Sequence, residues 1–180
     1  MMKKSILTLA AFLLMSVAFA QTAEIPISGK TNKISFQRVI PTEGTNTEVF
    51  NRIAGEWLRS AYKNPQAVVI GNDGSTITGK HNIKINCDDE VKAKCPVVNY
   101  KFTVEVREGR IRYTLTDFML DTSKTTKSPF PIERWLDKND PLYEDAWGGY
   151  LDQIAAFAQD WGANLEEKIQ PVHTVEEEEW

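Results

Sequence analysis

A chain of 180 residues, 42% hydrophobic and 26% charged, has the length and apolar content for one ordinary core, and one domain is the default. Its formal net charge of −4 gives no overall pull toward nucleic acid or an anionic membrane.

Lys3 and Lys4 precede an apolar run from Ile6 to Phe19, and Ala18-Phe19-Ala20 supplies a small-x-small cleavage site before Gln21. Residues 1–20 therefore read as a secretory signal peptide. The run is shorter than the ~20 residues of a spanning helix, so no transmembrane segment is expected in the mature chain. No cysteine follows the cleavage site, which excludes lipidation there. Without Lys3 and Lys4, 19 basic side chains face 25 acidic ones, a net of −6.

Residues 21–33, polar with Pro26 and Gly29, read as a flexible lead-in to a single domain over residues 34–170. Ile34 to Ile40 alternates as a strand and is broken by Pro41-Thr42-Glu43-Gly44. Thr45 and Glu48 form a capping box, after which Val49, Phe50, Ile53, Trp57, Leu58 and Ala61 recur at helical spacing until Asn64-Pro65. Ala67 to Ile70 is a short apolar strand ending at the turn Gly71-Asn72-Asp73-Gly74. Thr76 to Asn86 alternates Ile77, Gly79, His81, Ile83 and Ile85 against polar residues.

Cys87 and Cys95 flank a charged loop, and in an oxidising compartment that spacing reads as a disulfide closing a hairpin. With only His81 and His173 elsewhere, the two cysteines do not make a metal-ligand pattern. Val97 to Leu120 is the central feature. Val98, Tyr100, Phe102, Val104 and Val106 alternate with polar residues, the chain turns at Glu108-Gly109, and Ile111, Tyr113 and Leu115 continue the pattern. Beyond Asp117 the phase changes, because Phe118 and Leu120 fall on the polar parity, which predicts a bulge. Asp117 itself reads as a strand-end residue that caps a neighbouring backbone, or as a buried carboxylate with a raised pKa.

Residues 121–140 form a long polar connection whose Phe130, Ile132, Trp135 and Leu136 suggest a short helical turn tied to the body. Asp140-Pro141 then looks like the start of a helix with a stripe of Trp147, Tyr150, Leu151, Ile154, Phe157, Trp161 and Leu165, although Gly148-Gly149 weakens its first turns. The tail, residues 171–180, contains Glu176 to Glu179 and reads as disordered.

The order is thus strand, helix, a meander of four antiparallel strands, helix. That is an α+β fold in which two amphipathic helices share one face of an antiparallel sheet. The helix sequence EVFNRIAGEWL, the segment Gly74 to Lys80, and the run VNYKFTVEVREGRIRYTLTDF resemble a family of secreted bacterial proteins: a domain of unknown function with a TATA-binding-protein-like (TBP-like) fold. The resemblance covers Ile34 to Leu120. It implies the fold, with a curved antiparallel sheet, and export, and it carries over no functional residue.

No nucleophile elbow, Gly-rich phosphate loop or paired histidine ligands occur in the sequence, so no catalytic residue, metal or cofactor is expected and the protein reads as non-catalytic. His81, alone on an apolar parity, reads as a hydrogen-bonded core residue. The polar parity of the sheet is more informative. It carries Lys80, Lys84, Lys101, Arg107, Arg110 and Arg112 with Glu105 as its one acid, a basic face on an acidic protein that suits an anionic glycan, peptide or envelope protein. Nucleic acid is not expected there, since this parity has no aromatic residue to stack on bases. The alternatives are a carrier of a small apolar ligand between the sheet and the C-terminal helix, or a structural subunit of an envelope assembly docking through Phe130 to Leu136.

Overall fold

A computed structural model of the chain describes residues 24–87, 95–122 and 128–170. The proposed signal peptide and the acidic tail lie outside the described residues. Five strands make one open antiparallel sheet: β1 (Phe36–Pro41), β2 (Val69–Asn72), β3 (Thr76–Lys84), β4 (Val97–Arg107) and β5 (Arg110–Leu120), in the spatial order β1-β5-β4-β3-β2. The meander runs from β2 to β5 through short connections, and β1 closes the far side by pairing with β5 from Phe36↔Leu115 to Pro41↔Arg110.

The alternation read in β4 and β5 is the burial pattern observed. Val98, Tyr100, Phe102, Val104, Val106, Ile111, Tyr113 and Leu115 are buried on one face. At Asp117 the register between β4 and β5 shifts, the backbone takes φ +55°, and Phe118 returns to the buried face. The bulge thus restores the apolar phase that an unbroken strand would have lost.

Two helices cover that face. The first, α1, is α-helical over Asn46–Asn51, π-helical over Arg52–Trp57 and α-helical again over Leu58–Ala61. Its start is the expected capping box: Glu48 N–H donates to Thr45 Oγ1, and Glu48 Oε2 accepts from Thr45 N–H at 2.7 Å. The π segment was not legible in the sequence, yet it has a physical reason. Val49, Ile53 and Trp57 recur every fourth residue, which drifts by about 40° a step in an α-helix. Wider winding, seen in the Leu58 N–H bond to Ile53 O, keeps all three buried.

After α1, Pro65–Val68 forms a single helical turn, α2, where a strand was expected; Pro65 sits at its first position and the strand begins only at Val69. Gly79, opposite Phe102 in the β3–β4 ladder, marks a close approach. A Cβ there would lie 2.2 Å from the Phe102 ring and 3.0 Å from Val68 O.

The long C-terminal helix, α3, spans Ala146–Ile169. It starts five residues later than Asp140-Pro141 suggested, because Asp140 is engaged elsewhere: its carboxylate accepts from Arg134 Nε at 2.8 Å and from Leu142 N–H at 2.8 Å. Ile132–Leu136 is the expected short turn, a 3-10 helix with Ile132 and Trp135 buried. Those two side chains belong to the core, while Leu136 of the same segment is exposed and Phe130 is partly buried. The described part of the lead-in is also ordered on the body: Ile27 bridges Ile34, Ser35 N–H donates to Pro26 O at 2.9 Å, and Ile25 packs against the core. Cys87 and Cys95 are bonded, with Cα atoms 5.5 Å apart, at the mouth of the β3–β4 hairpin.

Candidate functional site

The six basic side chains expected on the polar face do lie on that side of β3, β4 and β5, but they do not converge. Lys84 pairs in register with Val97, at one end of β4, and Arg107 pairs with Arg110 at the other. At ~3.3 Å per residue these ends are roughly 33 Å apart. Arg112 is neutralised by Glu105, its register partner, whose Oε2 accepts from Arg112 Nε at 2.6 Å. Lys80 and Lys101 are different: they face each other directly across β3 and β4, and neither forms an ion pair among the described residues.

These two lysines line a groove of about 1000 Å³. On the outer face of the sheet it is bounded by Lys80, Asn82, Asn99 and Lys101, with Asp117 and Met119 at the β5 end. It then crosses the edge of β3 and is closed by the α1–β2 connection, where Tyr62, Lys63 and Asn64 contribute. The crossing exists because β2 pairs with β3 only from Ile77 to Gly79, and before Val69 the chain turns aside into α2.

Lys63 adds a third ammonium to the rim, also without an ion pair among the described residues. Asp117, the acid there, is held by Lys33, and that contact raises the Lys33 pKa above its ordinary value. Asp117 is therefore neither buried nor a strand-end cap; its side chain is 38% exposed at a bulge.

His81 also lines the groove and corrects its expected role. It is on the helix-side parity, yet it is exposed and opens onto the groove. Its Nδ1 lies 3.1 Å from Asn82 O and its ring 5.1 Å from that of Tyr62. Below it Tyr62 and Tyr100 are buried with hydroxyls 3.2 Å apart, and Trp161 Nε1 donates to Tyr62 Oη at 2.9 Å. Burial pushes both phenols above their ordinary pKa, Tyr100 more strongly. Tyr62, Lys63 and Asn64 escaped the sequence reading because Asn64-Pro65 signalled only a helix stop. The strand-free edge that brings them beside Lys80 depends on where β2 begins.

The aromatic stripe of α3 is occupied by core contacts. Trp161 packs edge-to-face on Trp57 at 4.9 Å and against Phe102 and Tyr113 at 5.5 and 5.2 Å. A second cavity, between β1 and α3 and including Phe36, Tyr113 and Ala158, has a volume of about 280 Å³, below the usual range for a ligand pocket. Among the described residues no group of three or more His, Cys, Asp or Glu is gathered to hold a metal ion, and no helix is long and apolar enough to cross a membrane.

Comparison with known proteins agrees with this architecture. Residues 36–120 match the model of a domain of unknown function (DUF4468) with TBP-like fold. The crystal structure of a TBP-like protein from Parabacteroides distasonis superposes with a TM-score of 0.63 at 15% identity, covering 81% of this chain and 96% of that one. A DUF4468 family protein from Bacteroides ovatus gives a TM-score of 0.62 at 17% identity, over 81% of this chain and 90% of that one. At such identities the likeness concerns the fold alone. No curated protein matches the sequence. The matched span runs from β1 to the end of β5 and so includes the bulge, the open edge of β3 and Lys80 with Lys101; over these residues the chain is similar to the DUF4468 family with TBP-like fold.

Proposed function

We propose that this is an exported, non-catalytic binding or accessory protein of the bacterial envelope, which holds an anionic ligand in the groove over Lys80 and Lys101. The observation that carries the reading is the pairing of those two lysines. Like charges directly opposite in an antiparallel ladder destabilise a sheet. Here they stand beside a groove with a third ammonium, Lys63, and with the amides of Asn64, Asn82 and Asn99, while the acid at the rim is already engaged. A bound anion relieves the repulsion and gains several charge-assisted hydrogen bonds. Export is supported by the cleavable-looking N-terminal segment and by the Cys87–Cys95 bond, which suits an oxidising compartment.

The test is a thermal melt of the protein with acidic oligosaccharides and acidic peptides at low and high salt. A ligand that binds the folded state raises the melting temperature, and screening removes the rise if exposed charges drive it. The combined substitution Lys80→Glu and Lys101→Glu is expected to abolish that rise, whereas Arg107→Glu with Arg110→Glu leaves most of it. Retention of the full rise in the Lys80/Lys101 variant would place the site elsewhere.

A further inference from the structure

The open edge of β3 has a fixed hydrogen-bonding sense. Ile85 donates its N–H to Pro96 O at 2.9 Å, and Val106 donates to Ser75 O at 2.8 Å. Odd-numbered residues of β3 therefore turn their main-chain groups toward β4, and even-numbered residues turn theirs away. Since β2 stops at the Val69↔Gly79 pair, Asn82 and Lys84 direct theirs at the open side, where the Asn82 oxygen meets the exposed His81 ring, Nδ1 at 3.1 Å, a contact that an incoming strand replaces.

Two residues on, the same edge is already engaged. Asn86 N–H donates to Gln153 Oε1 at 2.8 Å, and Gln153 Nε2 donates to Asn86 O at 3.0 Å. The carboxamide from α3 makes the two bonds that a neighbouring strand residue would make. The edge is thus in bonding orientation up to Asn86 and closed there, while the groove lies beside it from Lys80 to Asn82.

Charge selects the occupant. The side chains of Lys80, Asn82 and Lys84 share the outer face and are all exposed. A second copy pairing antiparallel about Asn82 would set Lys80 of each copy against Lys84 of the other, a repulsive arrangement of the kind that protects strand edges. A strand with carboxylates at alternate positions meets the same lysines with opposite charge. We infer that the edge of β3 at Asn82 and Lys84 takes up an extended acidic peptide by strand addition, its carboxylates lying over Lys80 and Lys84. The inference rests on the anionic groove proposed above and adds the ligand's class and backbone conformation.

The geometry also assigns the peptide's own groups. Residues directly opposite Asn82 and Lys84 exchange both main-chain bonds with them and place their side chains on the same outer face. In a capped peptide alternating Glu and Thr, the glutamates are those residues, so their N–H groups point at β3 and those of the threonines point away. Binding to the purified protein is measured with three peptides: unmodified, N-methylated on the glutamates, and N-methylated on the threonines.

Loss of these hydrogen bonds is expected to weaken the glutamate-methylated peptide by about tenfold or more, with the threonine-methylated one close to the unmodified. On the protein side, Asn82→Pro removes one outward N–H and no bond to β4, and is expected to weaken the unmodified peptide similarly. If that variant fails to fold, the peptide comparison stands alone. Equal binding of all three peptides overturns strand addition and leaves simple charge attraction. Binding of an acidic oligosaccharide at Lys80 and Lys101 with no binding of any peptide overturns it too, and keeps the anionic groove. If no acidic probe binds, both readings fall.

Discussion

Lys80 and Lys101 place a cost on the fold at the one point where the groove is most basic. Placed opposite each other, they repel across the β3–β4 ladder, and among the described residues no carboxylate bridges them. Lys101→Glu turns this into an opposite-charge pair and is expected to raise stability by about 0.2 to 1 kcal/mol, toward the lower end because Lys80 is exposed. Under the proposed function the same change removes a ligand contact, and the rise of the melt with acidic compounds is expected to shrink. Urea unfolding measures the first effect and the ligand melt the second. A variant that lost stability and kept its ligand response would show that the pair is structural. Arg112 behaves as an internal contrast, because its partner Glu105 is in register and the face there is already neutral.

The β3–β4 hairpin shows what a single element draws from its ends. Cys87 and Cys95 close a loop with a sequence separation of 8. In the chain-entropy account, a loop of that size restrains the unfolded chain by about 2.5 kcal/mol. Replacing both cysteines with Ala is expected to lower the unfolding free energy by about 2 to 3 kcal/mol in that account, with Lys80 and Lys101 still paired and the ligand response intact. Unchanged stability in urea would mean that the hairpin is held by its ladder alone. This bridge was legible because its signal is local: two cysteines, a short charged loop, and strands on both sides. The capping box at Thr45 and the bulge at Asp117 were legible for the same reason, one from a four-residue pattern and the other from a break in parity. The late start of α3 was legible in part, since Gly148-Gly149 weakens its first turns, but the pairing of Asp140 with Arg134 in place of opening the helix was not. The boundary between α2 and β2 was missed because Ala67 to Ile70 is equally apolar in either state, and with it went the open edge that shapes the groove.

Beneath that groove, three elements are joined by one buried polar chain: Tyr62 follows α1, Tyr100 is in β4, and Trp161 is in α3. Among them only hydroxyl and indole groups meet, so the network is satisfied when both phenols are neutral, and burial pushes their pKa values above the ordinary 10.0. The unfolded chain ionises its tyrosines near pH 10 while the native state resists. Folding is therefore fully supported by this network below about pH 10 and loses that support as the pH rises beyond it. Thermal melts from neutral pH upward are expected to fall more steeply above pH 10 than before it. Tyr100→Phe has a double effect: at neutral pH it costs about 0.5 to 1.5 kcal/mol for the lost hydrogen bond, and above pH 10 it flattens the decline, because one phenol that titrates only on unfolding is gone. An alkaline limb as steep in Tyr100→Phe as in the parent would assign the pH dependence to other groups, such as Tyr113, whose pKa is also raised by burial. With a flattened limb, packing of α1 and α3 on the sheet is tied to the protonation of the phenols that line the groove.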